Sequence, residues 1–154
     1  MNGKNTKYLL NKYPKLYAQY YLPPQQTCMC WGFPGDGWFK LLDGLSRRIT
    51  KLDTTGTVQA EQVKEKFGGL RYYYGGRVMT KEVAEKIRHL VDEAEEKSFH
   101  ICEDCGNKGK ARQDLGWVRT LCERHYKETQ VGIKKRIAKL KPFRHETNKK
   151  YKVK

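Results

Sequence analysis

Four residues in the C-terminal half combine types and spacing that can do chemistry. Cys102, Cys105, Cys122 and His125 follow the pattern C-x2-C-x16-C-x2-H. Zinc takes four sulfur or nitrogen ligands at tetrahedral corners, and structural sites often supply them as two close pairs. A C-x2-C turn gives one pair, because Gly106 lets the chain curl back with its amides towards sulfur. Cys122 and His125, placed at the start of a helix, share one face of its first turn and give the other pair. Asn107 to Thr120 leaves room for a short hairpin, with Gly116 at its turn and Trp117, Val118 and Leu121 packed beneath the metal. Knuckle, hairpin and helix-borne ligands make a treble-clef-like unit around one structural Zn²⁺. Four protein ligands close the shell, so the ion supports folding and not catalysis. His100, two residues before Cys102, is a geometrically poorer ligand. Cys28 and Cys30 form a C-x-C pair without a second pair to complete a tetrahedron, and they read as buried free thiols.

A second kind of chemistry is the binding of phosphate. Lys64, Lys66, Arg71 and Tyr73 are expected to share the outer face of a hairpin, where charge beside an aromatic ring can hold phosphate and stack a base. The same four residues also make an ordinary solvated sheet face. Lys134, Lys135, Arg136, Lys139 and Lys141 are the stronger phosphate ligands, sequence-blind and salt-sensitive. From Lys127 to Lys154 there are 11 Lys or Arg against 2 Glu, which predicts a basic helix followed by a mobile basic tail.

Enzyme signatures are missing. No Gly-rich loop precedes a Lys-Ser or Lys-Thr pair, and no Ser or Cys sits in a nucleophile motif. A metal-dependent nuclease needs an open metal position and a further His as base. Here the Cys/His pattern fills the metal shell, and the hairpin carries no His.

The elements that must position these residues follow from apolar spacing. Leu9, Leu10, Tyr13, Leu16, Tyr17 and Tyr20 recur at helical intervals interrupted by Pro14, so residues 1–27 read as a Tyr-rich arm packed on the main domain. Gly35-Asp36-Gly37 turns into a helix whose stripe is Trp38, Leu41, Leu42, Leu45, Ile49 and Leu52, with Asp36 placed to cap it. Residues 58–74 read as a hairpin turning at Gly68-Gly69. Val63, Phe67, Leu70, Tyr72 and Tyr74 then face the core, and Glu65 falls among them in need of a partner. Thr80 caps a helix to Lys97 whose stripe is Val83, Ile87, Leu90, Val91 and Ala94. A last helix runs from about Cys122 through Tyr126, Ile133 and Ile137 to Leu140, ending at Pro142.

These elements predict an α+β fold divided into an arm (1–27), an α+β core (28–100), the zinc unit with its basic helix (101–140) and a basic tail (141–154). The chain of 154 residues has a formal charge of +15, which points to a polyanionic partner: nucleic acid or an acidic protein surface. No apolar run matches a signal peptide or a membrane span, and five cysteines in a metal-like pattern favour metal over disulfides. A cytoplasmic site of action, without membrane association, is expected.

The segments WGFPGDGWFKLLDGLSRRI, QVKEKFGGLRYYY, ICEDCGNKGKAR and GWVRTLCERHY, in that order, resemble a family of small uncharacterised phage and prophage proteins. The resemblance spans roughly Tyr13 to Tyr126. It brings a zinc pattern that falls on Cys102, Cys105, Cys122 and His125, and no established activity. It implies a bacterial host cell as the setting. The expected function is that of a zinc-stabilised, non-enzymatic nucleic-acid-binding protein. The alternative is a protein-binding inhibitor or adaptor acting on a host complex, and a metal-dependent nuclease is third.

Overall fold

Trp38 opens the most regular apolar stripe in the chain, and the structure builds its core there. In the computed structural model, which describes residues 1–76 and 80–150 and their side chains as far as Lys139, the fold is α+β. Helix α1 spans Gly3–Lys12, α2 Phe39–Leu52, α3 Lys81–Ser98 and α4 Glu123–Lys150. Strands β1 (Gln59–Lys66) and β2 (Gly69–Gly75) form one antiparallel hairpin. Strands β3 (Lys110–Arg112) and β4 (Arg119–Leu121) form a second, small one. Among the described residues no helix is long and apolar enough to cross a membrane.

The core is one cluster. Helix α2 buries Leu42, Leu45 and Ile49, α3 buries Ile87, Val91 and Ala94, and the long hairpin contributes Ala60, Val63, Leu70 and Tyr72. The N-terminal arm packs into that cluster through Leu9, Leu10, Tyr13, Leu16 and Tyr17. Tyr17 is fully buried, and its hydroxyl pairs with Ser46 Oγ at 2.6 Å, satisfying a polar group that burial would otherwise penalise. Helix α1 stops at Lys12, two residues ahead of Pro14, as the sequence predicts. Thr80 caps α3 by accepting the Val83 N–H.

The long hairpin turns one residue earlier than expected. Phe67 and Gly68 form its two-residue loop, both with positive φ, and Lys66 pairs with Gly69. Each residue's cross-strand partner therefore shifts by two positions, which preserves the faces: Val63 pairs with Tyr72 in place of Tyr74, and both lie in the core. Phe67 alone leaves the core face, standing 60% exposed at the tip. The register is set by Gly69, whose bare Cα rests against the Phe99 ring where a side chain has no room. A left-handed Phe costs roughly 1–2 kcal/mol. Glu65 offsets part of this by accepting the Gly68 N–H at 2.5 Å with one oxygen, while its other oxygen accepts the Trp117 indole N–H.

Asp36 does not cap α2. A single 3₁₀ turn, Asp36–Trp38, precedes that helix, and the Asp36 carboxylate accepts the Asn2 N–H at 2.8 Å and the Asn5 amide at 3.1 Å. It joins the start of α1 to the start of α2, where a negative charge meets the positive end of the α1 dipole. Nor does α4 end at Pro142; it continues to Lys150. A proline removes one hydrogen bond and bends a helix, and the Lys-, Arg- and Glu-rich residues around it favour helix enough to carry the backbone past it. Lys141 and the other side chains of the expected tail lie outside the described residues, as do residues 151–154.

Gly35 and Gly37 are the contact through which the core meets the Cys102–Cys105 segment. A Cβ on Gly35 would strike the Glu103 carbonyl, and one on Gly37 would strike the Cys102 carbonyl and lie 2.8 Å from the Cys105 nitrogen. Gly37 also donates its N–H to the Glu103 carbonyl at 2.8 Å, and Trp38 donates its indole N–H to the Ile101 carbonyl at 3.0 Å. Gly37→Ala is therefore expected to destabilise the protein by about 3 kcal/mol, the upper end for overpacking against backbone. Gly44→Ala, inside α2 with open space around it, should instead stabilise it by about 0.5–1 kcal/mol. Urea unfolding of the two variants measures both.

Candidate metal centre

The knuckle forms because its backbone closes on itself. Cys102 donates its N–H to the Asn107 carbonyl at 2.7 Å, Gly106 donates to the Cys102 carbonyl at 2.9 Å, and Gly106 takes the positive φ that this turn requires. Strand β4 then brings Cys122 alongside, and α4 starts at Glu123 so that His125 falls in its first turn. Gly116 has positive φ in the loop between β3 and β4, as expected.

The four ligand atoms lie within 4.8 Å of one another. Cys105 Sγ is 3.8 Å from Cys122 Sγ, and His125 Nδ1 is 3.3 Å from Cys102 Sγ and 3.4 Å from Cys122 Sγ. A tetrahedral ion with bonds of about 2.3 Å to sulfur and about 2.0–2.1 Å to nitrogen requires edges of about 3.8 Å and about 3.6 Å. A disulfide would bring the sulfurs to about 2.05 Å. The residues present therefore fit a tetrahedral metal ion and can hold one. His125 would bind through Nδ1, and its Nε2 lies 3.8 Å from the Glu128 carboxylate, one turn further along α4. His100 is not part of the cluster.

The electrostatics divide the thiols. The His125 backbone N–H, at the start of α4, holds the Cys122 thiol down to about 7. Burial pushes the Cys102 thiol up, against three backbone N–H groups that favour its thiolate. A cation at the centre would favour the thiolate at both.

A brace joins the two ligand pairs. Arg119 on β4 donates from Nε to Glu103 at 2.6 Å and from its terminal nitrogen to Asp104 at 2.8 Å. Glu103 and Asp104 lie inside the knuckle, so the ion pair ties one ligand edge to the strand that delivers the other. Glu103 is 8% exposed; burial raises its carboxyl, and Arg119 opposes that rise. On the opposite flank Arg112 stands 4.1 Å over the Tyr126 ring and pairs with Glu123 at 2.9 Å, and Tyr126 donates to Asp114 at 2.5 Å. These contacts fix the first turns of α4 against the small hairpin. The brace was missed in the sequence, although its signal, an acidic pair inside C-x2-C, was visible.

Other expected residues fall as follows. Trp117 does not pack beneath the metal. It is 58% exposed and donates its indole N–H to Glu65 at 2.9 Å, whereas Leu121 is fully buried. Lys64, Lys66 and Tyr73 lie on the hairpin surface, and Arg71 beside them pairs with Glu95 at 3.6 Å and donates to the Leu70 carbonyl. Lys134, Lys135, Arg136 and Lys139 are exposed on α4. Cys28 is exposed and Cys30 half-buried, so the pair is not the buried one expected. Cys28 sits before a single 3₁₀ turn, Met29–Trp31, where Met29 takes the buried position instead.

Protons compete with a metal for three thiolates and one imidazole, so affinity should fall steeply on acidification. Cys105→Ser is expected to lose the metal and to release the fold from the knuckle onwards. Arg119→Ala, which leaves Glu103 buried and unpaired, should keep the metal but cost roughly 3–5 kcal/mol. Elemental analysis alongside thermal melting checks both variants.

Comparison of the chain with protein-family models, with curated proteins and with solved structures finds no match.

Proposed function

We propose that this is a zinc-stabilised, non-enzymatic nucleic-acid-binding protein that holds phosphates along α4. The observation that carries the reading is the state of that helix beyond its anchored start. Every residue from Lys134 to Lys139 is exposed, and among the described residues Lys134, Lys135, Arg136 and Lys139 have no acidic partner. Four unpaired cations within two turns create a strong local positive potential, which a polyanion relieves with release of its counterions.

Zinc is the ion that suits the ligand set: three thiolates and one imidazole on tetrahedral edges of the right length. Its part is structural. It would fix the base of α4 to the small hairpin, and the closed shell leaves no position for water or substrate. The phage-like motifs support a bacterial cell as the setting.

Fluorescence anisotropy with labelled DNA and RNA at two salt concentrations tests the proposal. Affinity should fall steeply with salt, and Lys134→Ala with Lys135→Ala should lower the log–log slope by about 2, one for each lost phosphate contact. Absence of binding at low salt would overturn it, and a single stoichiometric protein partner recovered from nuclease-treated bacterial lysate would favour an inhibitor instead.

A further inference from the structure

Two of the three tryptophans stand in water. Trp31 is 77% exposed and Trp117 58%, while Trp38 is fully buried. Both exposed indoles line one groove of about 270 Å³ between the knuckle and β1, together with Lys64, Glu65, Glu103 and Arg119. A second hollow of about 540 Å³ shares Cys28 and Gln62 with it and reaches Tyr73, which is 45% exposed. The two hollows adjoin at Cys28 and Gln62, one lined by Trp31 and Trp117 and the other by Tyr73.

The groove is built and not incidental. Trp117 is held by its hydrogen bond to Glu65, whose other oxygen caps the hairpin turn, so the ring is positioned before anything binds. Glu103 lines the groove wall with one oxygen committed to Arg119; the other is buried and has no partner. On the outside, Lys64 lies 5.3 Å from the Tyr73 ring and Lys66 lies 5.2 Å from the Phe67 ring.

We infer that the Trp31–Trp117 groove holds single-stranded nucleic acid, an inference that rests on the nucleic-acid reading of α4 and names the form of its ligand. Stacking needs base faces, which a duplex keeps covered and a single strand offers. The carboxylates of Glu65 and Glu103 repel phosphate, so bases point inward over the indoles and the backbone runs along Lys64 and Lys66. A cationic peptide also suits indoles and carboxylates. The chain's charge of +15 disfavours it and attracts a polyanion.

Tryptophan fluorescence of the intact, metal-loaded protein, titrated with a ten-nucleotide single strand and with a duplex of equal length, tests this. The single strand should quench the emission and bind more tightly than the duplex. Trp31→Ala and Trp117→Ala should each weaken single-strand binding about tenfold while leaving duplex binding and the melting temperature unchanged. Trp31→Phe should retain most of the affinity. Equal binding of both forms, unmoved by the Trp substitutions, would overturn the groove's role and leave the α4 reading intact. No binding of either form would overturn both. Quenching by an oligo-arginine peptide but not by the single strand would assign the groove to a cationic protein segment.

Discussion

Three thiols and an imidazole converge between the knuckle and the first turn of α4, and the C-terminal third of the chain depends on that convergence. Thiolates brought within 4 Å of each other repel strongly unless a cation lies between them. The strands around them have three residues each, too few to supply a core of their own. Leu121 and Cys102 are fully buried, yet neither belongs to the main apolar cluster. A metal ion held by the four ligands would supply energy that keeps β3, β4 and the base of α4 together.

The larger core receives this unit through backbone. Gly35 and Gly37 bring α2's leading turn into direct contact with the knuckle, Trp38 hydrogen-bonds the chain entering it, and Thr120 donates to the Gly68 carbonyl at the tip of the long hairpin. Contacts of this kind are short and leave little slack. They place the hairpin's outer face, the two exposed indoles and the root of α4 on one rigid support. The proposed binding surfaces are thus positioned by the same junction that a bound metal would stabilise.

Much of this was legible in the sequence. The α2 and α3 stripes, the Thr80 cap and the four ligands are local signals: period, cap residue and spacing each act within a few residues. What was not legible depended on distant partners. Asp36 has the right type and place to cap α2, yet the Asn2 and Asn5 donors on α1 claim it. Gly68-Gly69 has the composition of a primed turn, yet Phe99, thirty residues on, needs the second glycine flat beneath its ring and moves the turn to Phe67-Gly68. Trp117 has the hydrophobicity of a core residue, yet Glu65 holds it at the surface. Arg71 shows no partner in the sequence, and only the fold sets Glu95 beside it.

The central claim is that one tetrahedral ion sits at this junction, and cobalt substitution tests it most directly. Cobalt(II) in a three-sulfur, one-nitrogen tetrahedron gives intense visible absorption and sulfur-to-metal charge-transfer bands. Titration of the reduced, metal-stripped protein should develop both and saturate at one ion per chain, and added zinc should abolish them. A chain that folds fully while showing only the weak absorption of octahedral cobalt would contradict the account.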